Sequence, residues 1–306
     1  MDQSPPTEPT SRTVLIRVRS ALPTLRPSER SIAKAVLAEP ALVATLSIAD
    51  LARRCGTSTT SVVRFYKKVG YGRYSDLRMD LAKETTRERA VNNVSPEVYE
   101  DIDRNDSLAD VVSKIAFNET MSITDTAQFL DTDSLGRAVD ALAAARTIDI
   151  FGVGASAWVG QDLQQKLHRI GLSAHSWSDA HSAWTSAALL GPQGAALIIS
   201  HSGTTSDTIE ALRIAARTGA ATIAITNYAD SPLGREADIV LTTSAREIPF
   251  RSGAFGSRIA QMMVIDCLFV AVAQRSYDAS TEALRKTFAA VQARRVPGTV
   301  DPGSRG

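Results

Sequence analysis

Two short apolar runs, IDIFG at 148–152 and LIIS at 197–200, each break into a loop of Gly, Ser and Thr and then resume as a helical pattern. The first passage reads IDIFGVGASAWVG and the second LIISHSGTTSD. Such a loop aims backbone N–H groups and short hydroxyls at one point beside the positive end of a helix dipole, which is how uncharged protein holds phosphate. A chain with two of these units is confined to folds that bring strand ends together at one edge of a parallel sheet.

The rest of the pattern agrees. From residue 147 onward the rhythm alternates strand and helix, with strands expected at 147–153, 172–176, 195–200, 221–226 and 239–242. Short apolar strands separated by helices predict a five-stranded parallel sheet covered on both faces, a three-layer α/β sandwich. Two amphipathic helices are expected ahead of it, at 108–128 and 133–145, and two behind it, at 256–275 and 280–294. In such sheets the binding crevice lies outside the carboxyl ends of the strands, where both glycine-serine loops fall.

Charge sets the first third apart. Up to residue 90 there are sixteen Lys and Arg against nine Asp and Glu, and beyond it eighteen against twenty-four, inside a formal net charge of +1. A positive module on a mildly acidic body points to a polyanion partner for the first part. With 306 residues and 44% hydrophobic content, two folded units are expected. No apolar run approaches the roughly 18 residues that span a bilayer, and MDQSPPTEPTSR lacks the apolar core of a signal peptide, so a soluble, cytoplasmic protein without a membrane partner is expected. Cys55 and Cys267 sit in apolar helical patterns and read as packing residues. No metal site and no cofactor are expected.

The basic segment carries its own pattern. SERSIAKAVLAE aligns Ile32, Ala33, Ala35, Val36 and Leu37 along one stripe, and Pro40 is expected to stop that helix. SIAD at 47–50 reads as a capping box opening a short helix with Ile48, Leu51, Ala52 and Cys55 on one face, ended by Gly56. After one turn, Thr57 or Ser58 caps a third helix whose Val62, Phe65, Tyr66 and Val69 repeat the spacing. Two short helices around a tight glycine turn make a helix-turn-helix, which offers its second helix to the DNA major groove. With the apolar stripe inward, Thr60, Arg64 and Lys67 point away, flanked by Ser61 and Lys68, and Ser58 and Thr59 stand at the helix start. Arg can bond a guanine bidentately, Ser and Thr reach bases or phosphates, and Lys neutralises phosphates. Arg53, Arg54, Arg73 and Arg78 are candidates for further backbone contacts. The alternative is a packing module with a solvated basic face. GYGRYSDLRMDLAKE continues with Tyr74, Leu77 and Leu81 on one side of a helix that closes the bundle. The expected division is a disordered tail at 1–12, a helix-turn-helix domain at 13–90, a linker at 91–107, a ligand domain at 108–296 and a frayed tail at 297–306.

Gly152-Val-Gly154-Ala-Ser156-Ala157 fits a relaxed dinucleotide fingerprint, but such a site also needs a carboxylate at the end of the second strand. That place reads His175-Ser176-Trp177, which argues against a nicotinamide cofactor. The second loop, Ser200-His201-Ser202-Gly203-Thr204-Thr205, gathers four hydroxyls at a helix start and fits a phosphate monoester.

At these residues the chain resembles a known family. SHSGTTSDT is similar to the S-x-S-G-x-T loop of sugar isomerase (SIS) domains, GVGAS to their first loop, and SRIAQMMVIDCLF to a helix near their C-terminus. With SIADLARRCGTSTTSVVRFYKKVGYGRYSDLRMDLA ahead, the resemblance is to RpiR-type bacterial transcriptional regulators over about 24–293. One departure is Arg26, where the family commonly has a capping Thr or Ser. The resemblance implies a SIS fold, with Ser200, Ser202 and Thr205 holding the phosphate and Gly203 letting the backbone close on it. It places Gly154 and Ser156 at the ligand from the first loop and Ser257 from the later helix; Glu247 and Arg251 in the preceding loop read first as solvated charges, with contact to sugar hydroxyls as the alternative. It further implies double-stranded operator DNA and a phosphorylated sugar effector as partners, and a homo-oligomer, dimer or tetramer, paired through the SIS domains. The alternative is a SIS-domain isomerase or lyase using His201, His181, Glu210 or Glu247 as acid or base.

Overall fold

The computed structural model describes residues 14–92, 102–245 and 254–292. Helices α1 (Val14–Ala21) and α2 (Pro27–Ala38) are joined by a 3-10 turn, Leu22–Thr24. Arg26 has no capping hydroxyl, yet the start of α2 is secured another way: the Glu29 carboxylate accepts the Arg26 backbone N–H at 3.0 Å. Pro40 does not simply end α2; it opens a further short helix, α3 (Pro40–Thr45), after Glu39 alone breaks the run. A proline at the first helical position has no N–H to lose and a φ already set for the helix, so it starts one as readily as it stops one.

The next two helices are the expected pair, α4 (Ile48–Arg54) and α5 (Thr59–Lys68). Ser47 Oγ accepts the Asp50 N–H at 3.2 Å, while the Asp50 carboxylate takes the Ser47 hydroxyl proton at 2.5 Å, so the capping contact is made by side chains on both sides. That bond, first among its causes, holds the Asp50 carboxyl below its usual range. Gly56 turns the chain at φ +61, a left-handed value that suits glycine, and Ser58 caps α5 by accepting the Ser61 N–H at 3.2 Å. Helix α6 (Tyr74–Asn92) closes the bundle. Ile32, Val36, Leu51, Val62, Phe65, Leu77 and Leu81 are fully buried in its core. The expected tails and most of the expected linker lie outside the described residues.

The second cluster begins with α7 (Leu108–Phe129) and α8 (Thr132–Ala144) and continues as β1 (Thr147–Gly152), α9 (Ala155–Arg169), β2 (Ala174–Trp177), α10 (Ala180–Ala187), β3 (Gly194–Ile199), α11 (Ser206–Arg217), β4 (Ala221–Thr226), α12 (Pro232–Glu236), β5 (Ile239–Thr242), α13 (Phe255–Arg275) and α14 (Tyr277–Gln292). The strands form one parallel sheet in the order β2-β1-β3-β4-β5. Alternation along each strand feeds both faces. Ile148, Ile150, Leu197, Ile199, Ile223 and Ile225 pack with α8, α9 and α13, whereas Phe151, Ala196, Ile198 and Ala224 pack with α10, α11 and α12. The expected second strand begins two residues late, because the Leu172 N–H is taken by Leu167 O at 3.1 Å in the closing turn of α9.

The chain leaves β1 toward β2 and returns on the other side as β3. Loops at the ends of β1 and β3 therefore diverge and leave a crevice between them. Helix α13 is a longer apolar segment than expected: an 18-residue window within its 21 residues has a mean hydropathy of 1.6, enough by length and composition alone to cross a membrane. In the fold its Val264, Ile265, Leu268 and Val272 are core residues packed with the sheet's helices, and Ala260 is fully buried.

Candidate functional sites

The crevice between β1 and β3 opens into a cavity of about 570 Å³. It is lined by Ser156 from the first loop, by Ser200, His201, Ser202 and Thr205 from the second, by Tyr228 after β4, and by Ala254 and Ser257 at the start of α13. The local reason is the same on each strand: a buried apolar strand ends, a glycine takes a left-handed turn, and a helix starts facing the gap. Gly154 is the N-cap of α9 at φ +60, and Gly203 lies in the second loop at φ +62.

The two glycines shape the wall without lining it. A Cβ on Gly203 would stand 2.0 Å from Ser231 Oγ and 2.5 Å from Ser231 Cβ, so that position is closed from behind by α12. The absence of a side chain at Gly203 lets the loop seat on Ser231. The seat is reinforced by Leu233 N–H to Gly203 O at 3.0 Å, Asn227 N–H to His201 O at 3.0 Å and Gly203 N–H to Ser200 O at 3.1 Å.

Within the loop the hydroxyls converge. Ser200 Oγ lies 3.4 Å from Thr205 Oγ1, and Ser202 Oγ accepts from Thr204 Oγ1 at 3.0 Å and from Thr204 N–H at 3.3 Å. Thr205 is the N-cap of α11 but makes no side-chain cap, which leaves the first N–H groups of that helix to an outside acceptor. The described lining residues offer an anion dipoles and hydroxyls. Ser156 Oγ donates to Gln261 Oε1 at 3.2 Å, and Ser257 Oγ donates to Ala254 O at 3.3 Å. His201 meets the Tyr228 ring edge-on at 5.7 Å. Tyr228 and Gln261 were missed by sequence reasoning. Tyr228 follows the β4 terminus beside β3, and Gln261 is one helical turn beyond Ser257, inside the SRIAQMMVIDCLF segment.

The acid-base candidates scatter. His181 sits on α10 with its ring 6.0 Å from Trp184, and Glu210 pairs with Arg217 at 3.1 Å, away from the cavity. Glu247 and Arg251 lie outside the described residues.

On the basic bundle, Ser58, Thr59, Thr60, Arg64 and Lys67 are exposed along the start and outer face of α5, and Ser61 is half-buried beside them. Three other cations of the sequence reading are held by the bundle. Lys68 Nζ donates to Thr24 O and lies 3.7 Å from Glu29 Oε2. Arg54 pairs with Glu39 at 2.6 Å, and Arg78 Nε donates to Ala44 O at 2.8 Å, closing the end of α3. Behind α5, the Arg17 guanidinium lies 4.1 Å above the Tyr71 ring, and the Tyr71 hydroxyl donates to Asp80 Oδ2 at 3.0 Å. Burial pushes the Tyr71 phenol well up from its ordinary 10.0, against the opposing charge of Arg17 and with the help of the Asp80 bond.

Two family models match the chain: a helix-turn-helix domain of the rpiR family over residues 12–88 and a SIS domain over residues 141–271. A Caldanaerobacter subterraneus protein named as an uncharacterized HTH-type transcriptional regulator, TTE0211, is 36% identical over 283 residues, covering 92% of this chain and 98% of the relative. The Bacillus subtilis regulator YbbH, also named as uncharacterized, is 33% identical over 277 residues, covering 89% and 94%. Among solved structures, Vibrio vulnificus NanR in complex with ManNAc-6P is 30% identical with a TM-score of 0.58, covering 92% of this chain and 100% of that one. The sugar isomerase domain of an RpiR transcription factor from Sphaerobacter thermophilus is 25% identical with a TM-score of 0.54, over 58% of this chain and 98% of that domain.

Proposed function

Because the chain belongs to the rpiR family of helix-turn-helix transcriptional regulators carrying a SIS domain, we propose that a phosphorylated sugar bound between its β1 and β3 loops controls its affinity for operator DNA. The observation that carries this reading is the convergence of Ser200, Ser202 and Thr205 at the open start of α11. A phosphate dianion there receives hydroxyl and backbone donors together with the helix dipole. Ser156 and Ser257 close the opposite wall, and ManNAc-6P in the NanR complex is the kind of ligand that such a cavity accommodates.

On the bundle, α5 presents Thr60, Arg64 and Lys67 to the major groove of a double-stranded operator, with Ser58, Thr59 and Ser61 near the flanking phosphates. A helix-turn-helix acts on two half-sites, so the working unit is a homo-oligomer. The exposed Val270, Tyr277, Phe288 and Val291 on α13 and α14 support an interface at the C-terminal helices. Ligand binding changes operator affinity by its differential affinity for two arrangements of the DNA heads. The proposed units are a DNA-binding domain at 13–90 and a phosphosugar domain at 108–296, working in the cytoplasm.

Sensing is favoured over turnover because a helix-turn-helix domain precedes the SIS domain and the relatives that match across both are named as transcriptional regulators. The test is to incubate the purified protein with hexose, pentose, amino-sugar and sugar-acid phosphates, following thermal shift and product together. Stabilisation without product is expected, and sustained product formation overturns the sensor reading.

A further inference from the structure

Gln261 is almost fully buried, at 1% exposure, and its two amide ends have different fates. Oε1 accepts the Ser156 hydroxyl at 3.2 Å, while Nε2 is buried with no hydrogen-bond partner. A buried amide nitrogen without a partner is costly, and a methionine of similar volume at the same place would avoid it. The residue is thus placed for something other than the stability of α13. What it does touch is a hydroxyl that lines the cavity.

A serine hydroxyl has one proton and two lone pairs. Because Gln261 Oε1 takes that proton, Ser156 faces the cavity with lone pairs only. It then accepts a hydrogen bond from a ligand and repels a phosphate oxygen. The second loop has the opposite character: the N–H groups at the α11 start have no side-chain cap, and Ser202 and Thr205, which accept the loop's own hydrogen bonds, keep their hydroxyl protons for an outside acceptor.

We infer that Gln261 is a specificity-determining residue of the cavity: by holding the Ser156 hydroxyl as an acceptor it makes the first loop read a donor on the sugar, a hydroxyl or amide N–H, and leaves the phosphate to the second loop. The inference rests on the phosphosugar reading of the same cavity and assigns the orientation of the ligand within it. Gln261 acts through Ser156 and is a positioning residue in that sense.

The experiment uses the full-length chain in four forms, wild type, Q261M, S156A and the double variant, each titrated calorimetrically with inorganic phosphate and with glucose 6-phosphate, N-acetylmannosamine 6-phosphate and a pentose 5-phosphate. For each sugar phosphate that the wild type binds, Q261M and S156A each weaken binding about tenfold and the double variant is no weaker than either alone. Inorganic phosphate affinity stays within about twofold throughout, and the melting temperature of free Q261M is equal to or above that of the wild type. Additive losses, an equal loss of inorganic phosphate affinity, or a lowered melting temperature with unchanged sugar phosphate affinity each overturn the inference. Wild-type protein that binds inorganic phosphate but none of the sugar phosphates overturns it too, while wild-type protein that binds neither removes the phosphosugar reading beneath it.

Discussion

Lys68 at the end of α5 is tied to Glu29 near the start of α2: its Nζ stands 3.7 Å from Glu29 Oε2, and that same carboxylate oxygen accepts the Arg26 backbone N–H at 3.0 Å. Glu29 is only 4% exposed. One buried carboxylate therefore serves both as the cap of one helix and as the anchor of another, and it fixes the end of the helix that carries Arg64 and Lys67 in the proposed DNA interface.

This contact separates Lys68 from its neighbours in a salt titration. Each phosphate contact adds about 0.9 to the slope of log affinity against log salt. On a random-sequence duplex, K67M is expected to lower that slope by about one, and K68M to leave it unchanged. R64A is expected to cost about 1 to 3 kcal/mol on a duplex selected by the protein and to relax one base preference. A full unit lost from the slope in K68M would show Lys68 reaching a phosphate.

The second loop depends on a missing side chain. At Gly203 an added Cβ would meet Ser231 Oγ at 2.0 Å and Thr226 Oγ1 at 2.9 Å, on a backbone at φ +62. G203A is expected to destabilise the protein by about 3 kcal/mol in chemical unfolding and to abolish phosphate binding. Adding S231A, which removes the nearest atom, is expected to restore part of the stability. If G203A melts with the wild type, the loop is looser than its contacts with α12 indicate.

Alkaline pH tests the Arg17–Tyr71–Asp80 contact. Burial first of all raises the Tyr71 phenol above its ordinary 10.0, so the folded state keeps a proton that the unfolded chain gives up. The folded state then holds more protons than the unfolded chain, and stability falls with rising pH. The loss begins near pH 10 and continues as pH rises through the folded value. Y71F is expected to be about 1 kcal/mol less stable at neutral pH, having lost the bond to Asp80, and to show a flatter decline above pH 10. Urea unfolding at several pH values measures both, and an unchanged alkaline decline in Y71F assigns it to other groups.

Much of this architecture was legible before any coordinates. The period of Val62, Phe65 and Val69 placed α5, and the break from LIIS into SHSGTTSD placed the second loop, because in both cases local spacing and burial agree. The points beyond the reach of local spacing are those set by distant partners. Lys68, though exposed, is paired with a carboxylate at position 29, and Gly203 is backed by Ser231 at the start of α12. Pro40 bounds α2, which ends at Ala38, and also opens α3, because a helix stop and a helix start share the same residue chemistry. Gln261 lies in the SRIAQMMVIDCLF segment, but only packing brings it to Ser156.

The central claim is that phosphate held by Ser200, Ser202 and Thr205 is communicated to α5. It is tested most directly by fluorescence anisotropy of a duplex selected from a random pool by the full-length protein, titrated with the sugar phosphates in wild type and in S202A. Without ligand the two proteins are expected to bind the duplex within about twofold of each other, and a sugar phosphate is expected to shift wild-type affinity about five- to 150-fold while leaving S202A unmoved. An S202A protein that still shifts as the wild type does would contradict the account.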